Sequence, residues 1–130
     1  MNQILLSQVY TMDENGTADV AQVSARDFQN IAISMVGTDT AVFSVRVKGS
    51  LQQEPPDFTT ASTIGNQWSY IQLKDDIADG YLNGDEGVVF DADDTVSLEL
   101  NTSVLTWVTV EVFNYTSGTL TAQFVFKNNQ

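Results

Sequence analysis

Acidic side chains are the residues of this chain that are best able to do chemistry, and they are concentrated in one segment. Eight of the seventeen Asp and Glu residues lie between positions 75 and 94. A calcium site needs several carboxylate or carbonyl oxygens on loops at close range, so Asp91, Asp93 and Asp94 are the calcium candidates. The spacing of an EF-hand loop is missing, and Asp is also an ordinary turn residue. We therefore interpret the segment as turns and expect no metal.

The residue types of this chain also argue against catalysis. The chain has no His and no Cys, so it lacks the commonest general base, a thiolate nucleophile and the usual zinc ligands. A pair of carboxylates such as Glu99 and Glu111 could serve a glycosidase, but each alternates with apolar residues in a predicted strand and should face solvent. The sequence predicts no catalytic residue, no cofactor-binding residue and no enzymatic activity.

Aromatic residues suggest a different function, the binding of sugars. Rings that stack on a sugar could be supplied by Trp68, Tyr70, Trp107, Phe113 and Tyr115. The simpler interpretation is that large rings close the ends and rims of a small β domain. A carbohydrate-binding module is therefore the alternative function.

The charge of the chain excludes two classes of partner. Seventeen acids against five bases give a net charge of −12, which cannot neutralise nucleic-acid phosphates and disfavours anionic lipid surfaces. No apolar run approaches the roughly 18 residues that span a bilayer. The first residues lack the basic region of a secretory signal, so we expect synthesis in the cytosol and no membrane.

The elements that must position these residues are β-strands. Apolar residues alternate with polar ones in segments such as Phe43 to Lys48, Val96 to Asn101 and Leu120 to Phe126, which is the period of a half-buried strand. Asn-Gly and Ser-Gly pairs favour tight turns, and the predicted turns between such segments are Asp13 to Gly16, Gly37 to Thr40, Asn83 to Gly87 and Ser117-Gly118. The predicted strands are Ile4 to Tyr10, Ala18 to Val23, Phe28 to Val36, Ala41 to Ser50, Trp68 to Leu73, Gly87 to Phe90, Thr95 to Asn101, Leu105 to Tyr115 and Thr119 to Lys127. The sequence predicts an all-β fold, a two-sheet antiparallel β-sandwich that is jelly-roll-like, as a single domain over residues 1–130.

The alternation also predicts which side chains form the core. With no cysteine for disulfides, the domain depends on packing of its 42% hydrophobic residues. The inward-facing sets are Phe43, Val45 and Val47, then Val96, Leu98 and Leu100, then Val108, Val110 and Val112, and finally Leu120, Ala122, Phe124 and Phe126.

Several segments resemble a known group of proteins. In Val45 to Ser50, Pro56 to Phe58, Asn66 to Ile71, Leu98 to Asn101 and Leu105 to Val108, the chain is similar to small all-β virion structural proteins of tailed bacteriophages. The resemblance implies a structural role in the virion, either a capsid decoration (cement) protein or a small tail or fibre component. It carries over no site residues.

The resemblance also implies a protein partner. We expect binding to the major capsid protein or another virion protein, and a homo-oligomer, with a trimer favoured, at a symmetry axis. Burial of unpaired carboxylates is costly, so the contact should use uncharged residues. The N-terminal segment Met1 to Leu6 and the loop Gln52 to Gln67 are the places to look, since the loop holds only Glu54 and Asp57 as acids.

We expect added calcium to leave the melting temperature of the protein unchanged, because Asp91, Asp93 and Asp94 are interpreted as turn residues. Thermal unfolding with calcium and then with a chelator measures this. A rise of several degrees that the chelator reverses would instead show that the cation binds the folded chain.

Overall fold

The structure, a computed structural model, describes residues 2–18, 21–22, 30–75, 80–82, 84–100 and 107–129. These residues form ten strands and no helix, so the predicted all-β class is confirmed. No helix able to cross a membrane occurs in this part of the chain. The strands are β1 (Asn2–Met12), β2 (Gly16–Thr17), β3 (Ala21–Gln22), β4 (Asn30–Ser50), β5 (Ser69–Tyr70), β6 (Leu73–Asp75), β7 (Gly80–Leu82), β8 (Val88–Phe90), β9 (Asp94–Leu100) and β10 (Trp107–Asn129).

Hydrogen-bond ladders join the described strands into one antiparallel sheet. The order is β1-β10-β4-β9-β6-β7, while β2 and β3 also pair with β10, and β5 and β8 also pair with β4. The two outermost strands, β1 and β7, do not pair with each other, so the sheet is open. A division into two separate sheets, as in a sandwich or jelly roll, stays a prediction.

The centre of the sheet consists of two unusually long strands. β4 has 21 residues and β10 has 23, and they pair from Asn30 opposite Lys127 to Ser50 opposite Trp107. The predicted turns Gly37 to Thr40 and Ser117-Gly118 lie inside these strands, so the prediction that they separate strands is wrong. The register shifts between Phe113 and Thr119, which marks a bulge.

The turn-forming residues are used to bend the strands instead of reversing them. Asp39 and Thr40 in β4 have φ values of 61° and 62°, and Asn114 and Gly118 in β10 have 52° and 96°. An extra residue and positive φ values in a ladder strand give a bulge, which bends the strand and increases its twist. Turn-like backbone was therefore predicted correctly at Asp39, Thr40 and Gly118 but with the wrong consequence, and at Asn114 it lies inside the predicted strand Leu105 to Tyr115.

The strands that pair with the outer edges of β4 and β10 end or begin opposite these same positions. β1 and β2 run in the same direction along one edge of β10, with residues 13–15 between them. β8 and β9 do the same along β4, with residues 91–93 between them. We call the row formed by residues 13–15, 114–118, 38–41 and 91–93 the fold line, because the register of β4 and β10 shifts there and the flanking strands end or begin there.

Side chains replace the backbone ladder along the fold line. Asn15 Oδ1 accepts the Tyr115 N–H at 3.0 Å, and Asp93 Oδ1 accepts the Ala41 N–H at 2.8 Å. These bonds matter because a backbone polar group that leaves its ladder must find another partner. Further bonds on the same line run from Ser117 Oγ to the Thr40 carbonyl (2.6 Å), from Tyr115 OH to the Gly118 carbonyl (2.8 Å) and from Thr119 Oγ1 to Asp39 Oδ2 (3.3 Å).

The core lies on one face of the sheet on both sides of the fold line. The buried apolar residues of β4 occupy odd positions on either side of the fold line, and those of β10 occupy even positions, and all belong to one cluster: Ile33, Met35, Ala41, Phe43, Val45 and Val47, then Val108, Val110, Val112, Leu120, Ala122 and Phe124. Among the described residues no helix covers this face, and the cluster is built from the strands and their connections. The predicted inward sets are confirmed, except that Val96 is only partly buried and the side chain of Phe126 lies outside the description.

We expect Gly118→Ala to lower the free energy of unfolding by about 2 kcal/mol or more, because φ at this residue is 96° and a Cβ would lie 2.6 Å from Ala41 Cα. The matched control is Gly65→Ala, whose Cβ would meet nothing within 4 Å and should change stability by less than about 0.5 kcal/mol. Urea unfolding measures both. Equal stability of the two variants would contradict a packed fold line.

Candidate protein-binding surface

Residues 51–68, which we call the covering loop, join β4 to β5 and pack on the outer face of the sheet. The loop contributes Phe58, which is only 4% exposed, and the half-buried Trp68, whose rings lie 6.1 Å apart. Lys48 of β4 donates to the Phe58 carbonyl at 2.7 Å, and its Nζ lies 4.8 Å from the centre of the Trp68 ring. The face of the sheet that points away from the core is therefore covered here by the loop and shielded from solvent.

A buried ion cluster lies beneath the covering loop. Lys48 Nζ is 3.1 Å from Glu111 Oε2 and also donates to Thr17 Oγ1 at 3.1 Å, while Arg46 Nε pairs with the other oxygen of Glu111. The side chains of Lys48 and Glu111 are only 4% and 17% exposed. The prediction that Glu111 faces solvent is wrong, because alternation identifies the outer face but not the loop that covers it. Glu99 is exposed, as predicted.

Arg46 is held between two of the rings that the sequence offered for sugar stacking. Its guanidinium carbon lies 4.3 Å from the Tyr70 ring centre and 4.1 Å from that of Phe113, which are cation–π distances. Arg46 Nη1 also donates to the Asp85 carbonyl at 3.0 Å. These two ring faces are thus occupied by a side chain of the protein itself.

The remaining aromatic candidates are also used inside the fold. Trp107 donates its indole N–H to the Gln52 carbonyl, and Trp68 donates its own to the Thr60 carbonyl, both at 2.9 Å. Tyr115 stacks on Phe43 of the core with ring centres 6.2 Å apart. The structure therefore does not bring the five aromatic residues together as one platform.

Hydrogen bonds within the covering loop give it a defined shape. Asn66 Oδ1 accepts the Asp57 N–H at 2.6 Å, and Asn66 Nδ2 donates to the Asp57 carbonyl at 2.9 Å. Hydrogen bonds from the Thr59 hydroxyl and then the Thr59 amide hold the pKa of Asp57 below its ordinary value. The hydrogen-bonded Asp57 carboxylate therefore stabilises the folded state above the unfolded pKa of about 3.9. That stabilisation is lost as the pH falls through the lower pKa of the folded state.

The covering loop presents apolar side chains to solvent. Thr63 and Asn66 exchange two backbone hydrogen bonds of 3.0 and 3.1 Å, and Ile64 between them is 93% exposed. Leu51 at the start of the loop is 64% exposed and borders a groove of about 180 Å³. The groove is lined by residues 49–51 and 67–69 together with Ser62. An ordered loop with exposed apolar side chains is a candidate surface for binding a protein.

The predicted calcium ligands lie on or beside the fold line. Asp93 accepts the Ala41 N–H as described above, Asp94 Oδ1 accepts the Thr95 N–H at 2.8 Å, and Asp91 is exposed. In the part of the chain that the structure describes, no three His, Cys, Asp or Glu side chains are grouped so as to hold a metal ion. Asp94 thus bonds to the backbone next to it, as turn residues do, whereas Asp93 bonds to the backbone of β4 across the fold line.

The other predicted contact segment is part of the sheet. Asn2 to Leu6 belong to β1 and pair with β10, from Asn2 opposite Asn129 to Leu6 opposite Phe126, so they are not a free arm. Met1 lies outside the described residues. Sequence analysis also missed Lys48, although Arg46 and Lys48 at alternating positions of one strand, in a chain of only five basic residues, were a signal of a paired cluster.

Comparison with known proteins gives a match at the level of fold. No protein-family model matches the sequence, and no curated protein matches it. The crystal structure of the SPBc2 prophage-derived protein YomS matches with a TM-score of 0.58 and 8% sequence identity, over 95% of this chain and 97% of that chain. At this identity the match shows a shared fold over nearly the whole length of both chains, and this fold occurs in a prophage-derived protein.

We expect Lys48→Met to lower the free energy of unfolding by about 3 kcal/mol. The substitution removes the ammonium group that bonds to the Phe58 carbonyl, the Thr17 hydroxyl and the Glu111 carboxylate. Hydrogen exchange in residues 51–68 should become faster, since Lys48 ties the covering loop to the sheet. The matched control is Lys74→Met on β6, which is less buried and should cost about 1 kcal/mol or less. Unchanged exchange of the loop in Lys48→Met would contradict this role.

Proposed function

We propose that this chain is a virion structural protein of a tailed phage, a capsid decoration (cement) protein that binds the head exterior through protein–protein contacts. The observation that carries the proposal is the end-to-end similarity of fold to a prophage-derived protein. The absence of His and Cys from the sequence supports a structural protein over an enzyme.

The distribution of charge supports the covering loop as the contact surface. Many acids are exposed elsewhere on the protein: Asp13, Glu14, Asp39, Asp85, Glu86, Asp91, Asp93, Asp94 and Glu99. The covering loop carries only Glu54 and Asp57 and presents Leu51 and Ile64. Interfaces gain their energy from apolar and hydrogen-bonded area, so the partner should meet this loop and not the acidic surface.

The rigidity of the loop strengthens its case as a binding surface. Binding costs the entropy of ordering mobile side chains and loops, and a preformed loop avoids much of that cost. The two tryptophan N–H bonds and the Asn66 bonds hold the loop before any partner arrives. Ile64 at its tip is then an anchor for an apolar pocket on the partner, which we propose is the major capsid protein or another virion protein.

The alternative function is a carbohydrate-binding module or an adhesin component of a tail or fibre. The observation that favours it is the groove beside Leu51, where Trp68 lies next to polar groups of Ser62 and Gln67. An aromatic ring with a few hydrogen-bonding groups is the chemistry that recognises a sugar.

We expect Ile64→Asp to weaken binding to phage particles at least about thirtyfold, as for loss of a central apolar anchor. The assay is co-sedimentation of the purified protein with particles that lack it. The control is Val89→Asp on β8, which changes another exposed apolar residue (71%) and should bind as the unmodified protein does. Failure to bind particles together with retention on polysaccharide would favour the sugar-binding alternative.

A further inference from the structure

The outer edge of β1 is unpaired in the part of the chain that the structure describes. β1 pairs with β10 along one edge, and among the described residues no strand pairs with its other edge. An edge of this kind presents a row of backbone N–H and C=O groups that can pair with another chain. Natural proteins usually block it with a short strand, a Pro or charged side chains.

β1 is long and has no Pro and no charged residue. It does carry one register shift, between Ile4 and Leu6, and since a bulge can also block an edge, the regular stretch available for pairing is Leu6 to Met12. Asn2–Met12 has 11 residues without a charge, a Pro or a Gly, in a chain with 17 acidic and 5 basic residues. Val9 is 56% exposed and Thr11 is exposed. At the opposite end of the sheet order, the described part of β7 is three residues long. The uncharged composition therefore coincides with the long outer edge.

We propose that β1 pairs with β1 of a second copy of this chain, antiparallel and about a two-fold axis, to form one continuous sheet across a dimer. Such a contact uses the same surface on both copies, so it closes at two and replaces the trimer favoured from the sequence. This inference does not depend on the proposed function, because it follows from the edge strand alone.

Charge decides both the place and the direction of this pairing. Each copy carries a net charge of −12, so two copies can approach closely only where charge is absent, as along β1. Asp13 and Glu14 follow β1 directly. Antiparallel pairing puts these acids at opposite ends of the shared ladder, which extends about 3.4 Å per residue, whereas parallel pairing would put them side by side. Even over Leu6 to Met12, that separation exceeds the Debye length of about 8 Å at physiological salt.

The first test measures oligomeric state by sedimentation equilibrium. We expect a dimer whose dissociation constant falls as salt is raised, because salt screens the repulsion between the two copies. Val9→Asp should raise the dissociation constant at least about tenfold by adding like charges beside the shared ladder. Val89→Asp adds the same charge on β8 and should leave the constant unchanged. A monomer at all protein and salt concentrations would overturn the proposal. A monomer is also the result expected if β1 pairs instead with a strand of another protein.

The second test uses the absence of cysteine from the chain. Single Cys substitutions are made at each position from Gln3 to Thr11 and oxidised, and disulfide-linked dimers are measured. An antiparallel pair brings a residue close to its own copy only near the two-fold axis, so linking should peak at one or two neighbouring positions. Linking at every second position along the strand would show parallel pairing, and no linking anywhere would also overturn the proposal.

Discussion

The structure depends on the fold line, where the register of β4 and β10 shifts and the strands that flank them end or begin. A bulge in one strand of a sheet leaves backbone groups unpaired, and a bend through several neighbouring strands multiplies that cost. Here the cost is offset by side chains that bond to the freed groups, such as Asn15 to the Tyr115 amide and Asp93 to the Ala41 amide. On both sides of the fold line one face of the sheet carries a single core, and among the described residues no helix covers it.

The fold line also divides the outer face of the sheet. One side of the fold line carries Arg46, Lys48 and Glu111 on that face, and the covering loop packs over them. Two cations share one carboxylate, and the Phe58 carbonyl and Thr17 hydroxyl accept further bonds from Lys48. A buried cluster of this kind adds little net stability over an apolar core but requires one arrangement of its members. Its role here is to fix the position of the covering loop, and with it the exposed Ile64.

Two features of the surface follow from the same charge distribution. The acids lie largely outside the covering loop, which holds only Glu54 and Asp57, and are absent from β1, so these two regions carry little or no charge on a strongly acidic protein. One is an irregular loop suited to a shaped pocket, and the other is a strand edge suited to a second strand. A protein that coats an assembly needs contacts of both kinds, to the assembly and to its own copies. The proposed function and the proposed dimer are thus compatible but physically independent.

The sequence by itself determined the all-β class, the inward face of each long strand and the residues that adopt turn-like backbone. Alternation with period two specifies faces because it is a local property of the strand, and Asp39 and Gly118 have the positive φ values that turn chemistry favours. Only the tertiary structure decided whether such residues reverse the chain or bend it, because a hairpin and a bulge use the same local conformations and differ in the strand that lies alongside. It also decided that Glu111 and Lys48 are interior, since the loop that covers them lies elsewhere in the sequence and no periodicity within their own strands records its presence.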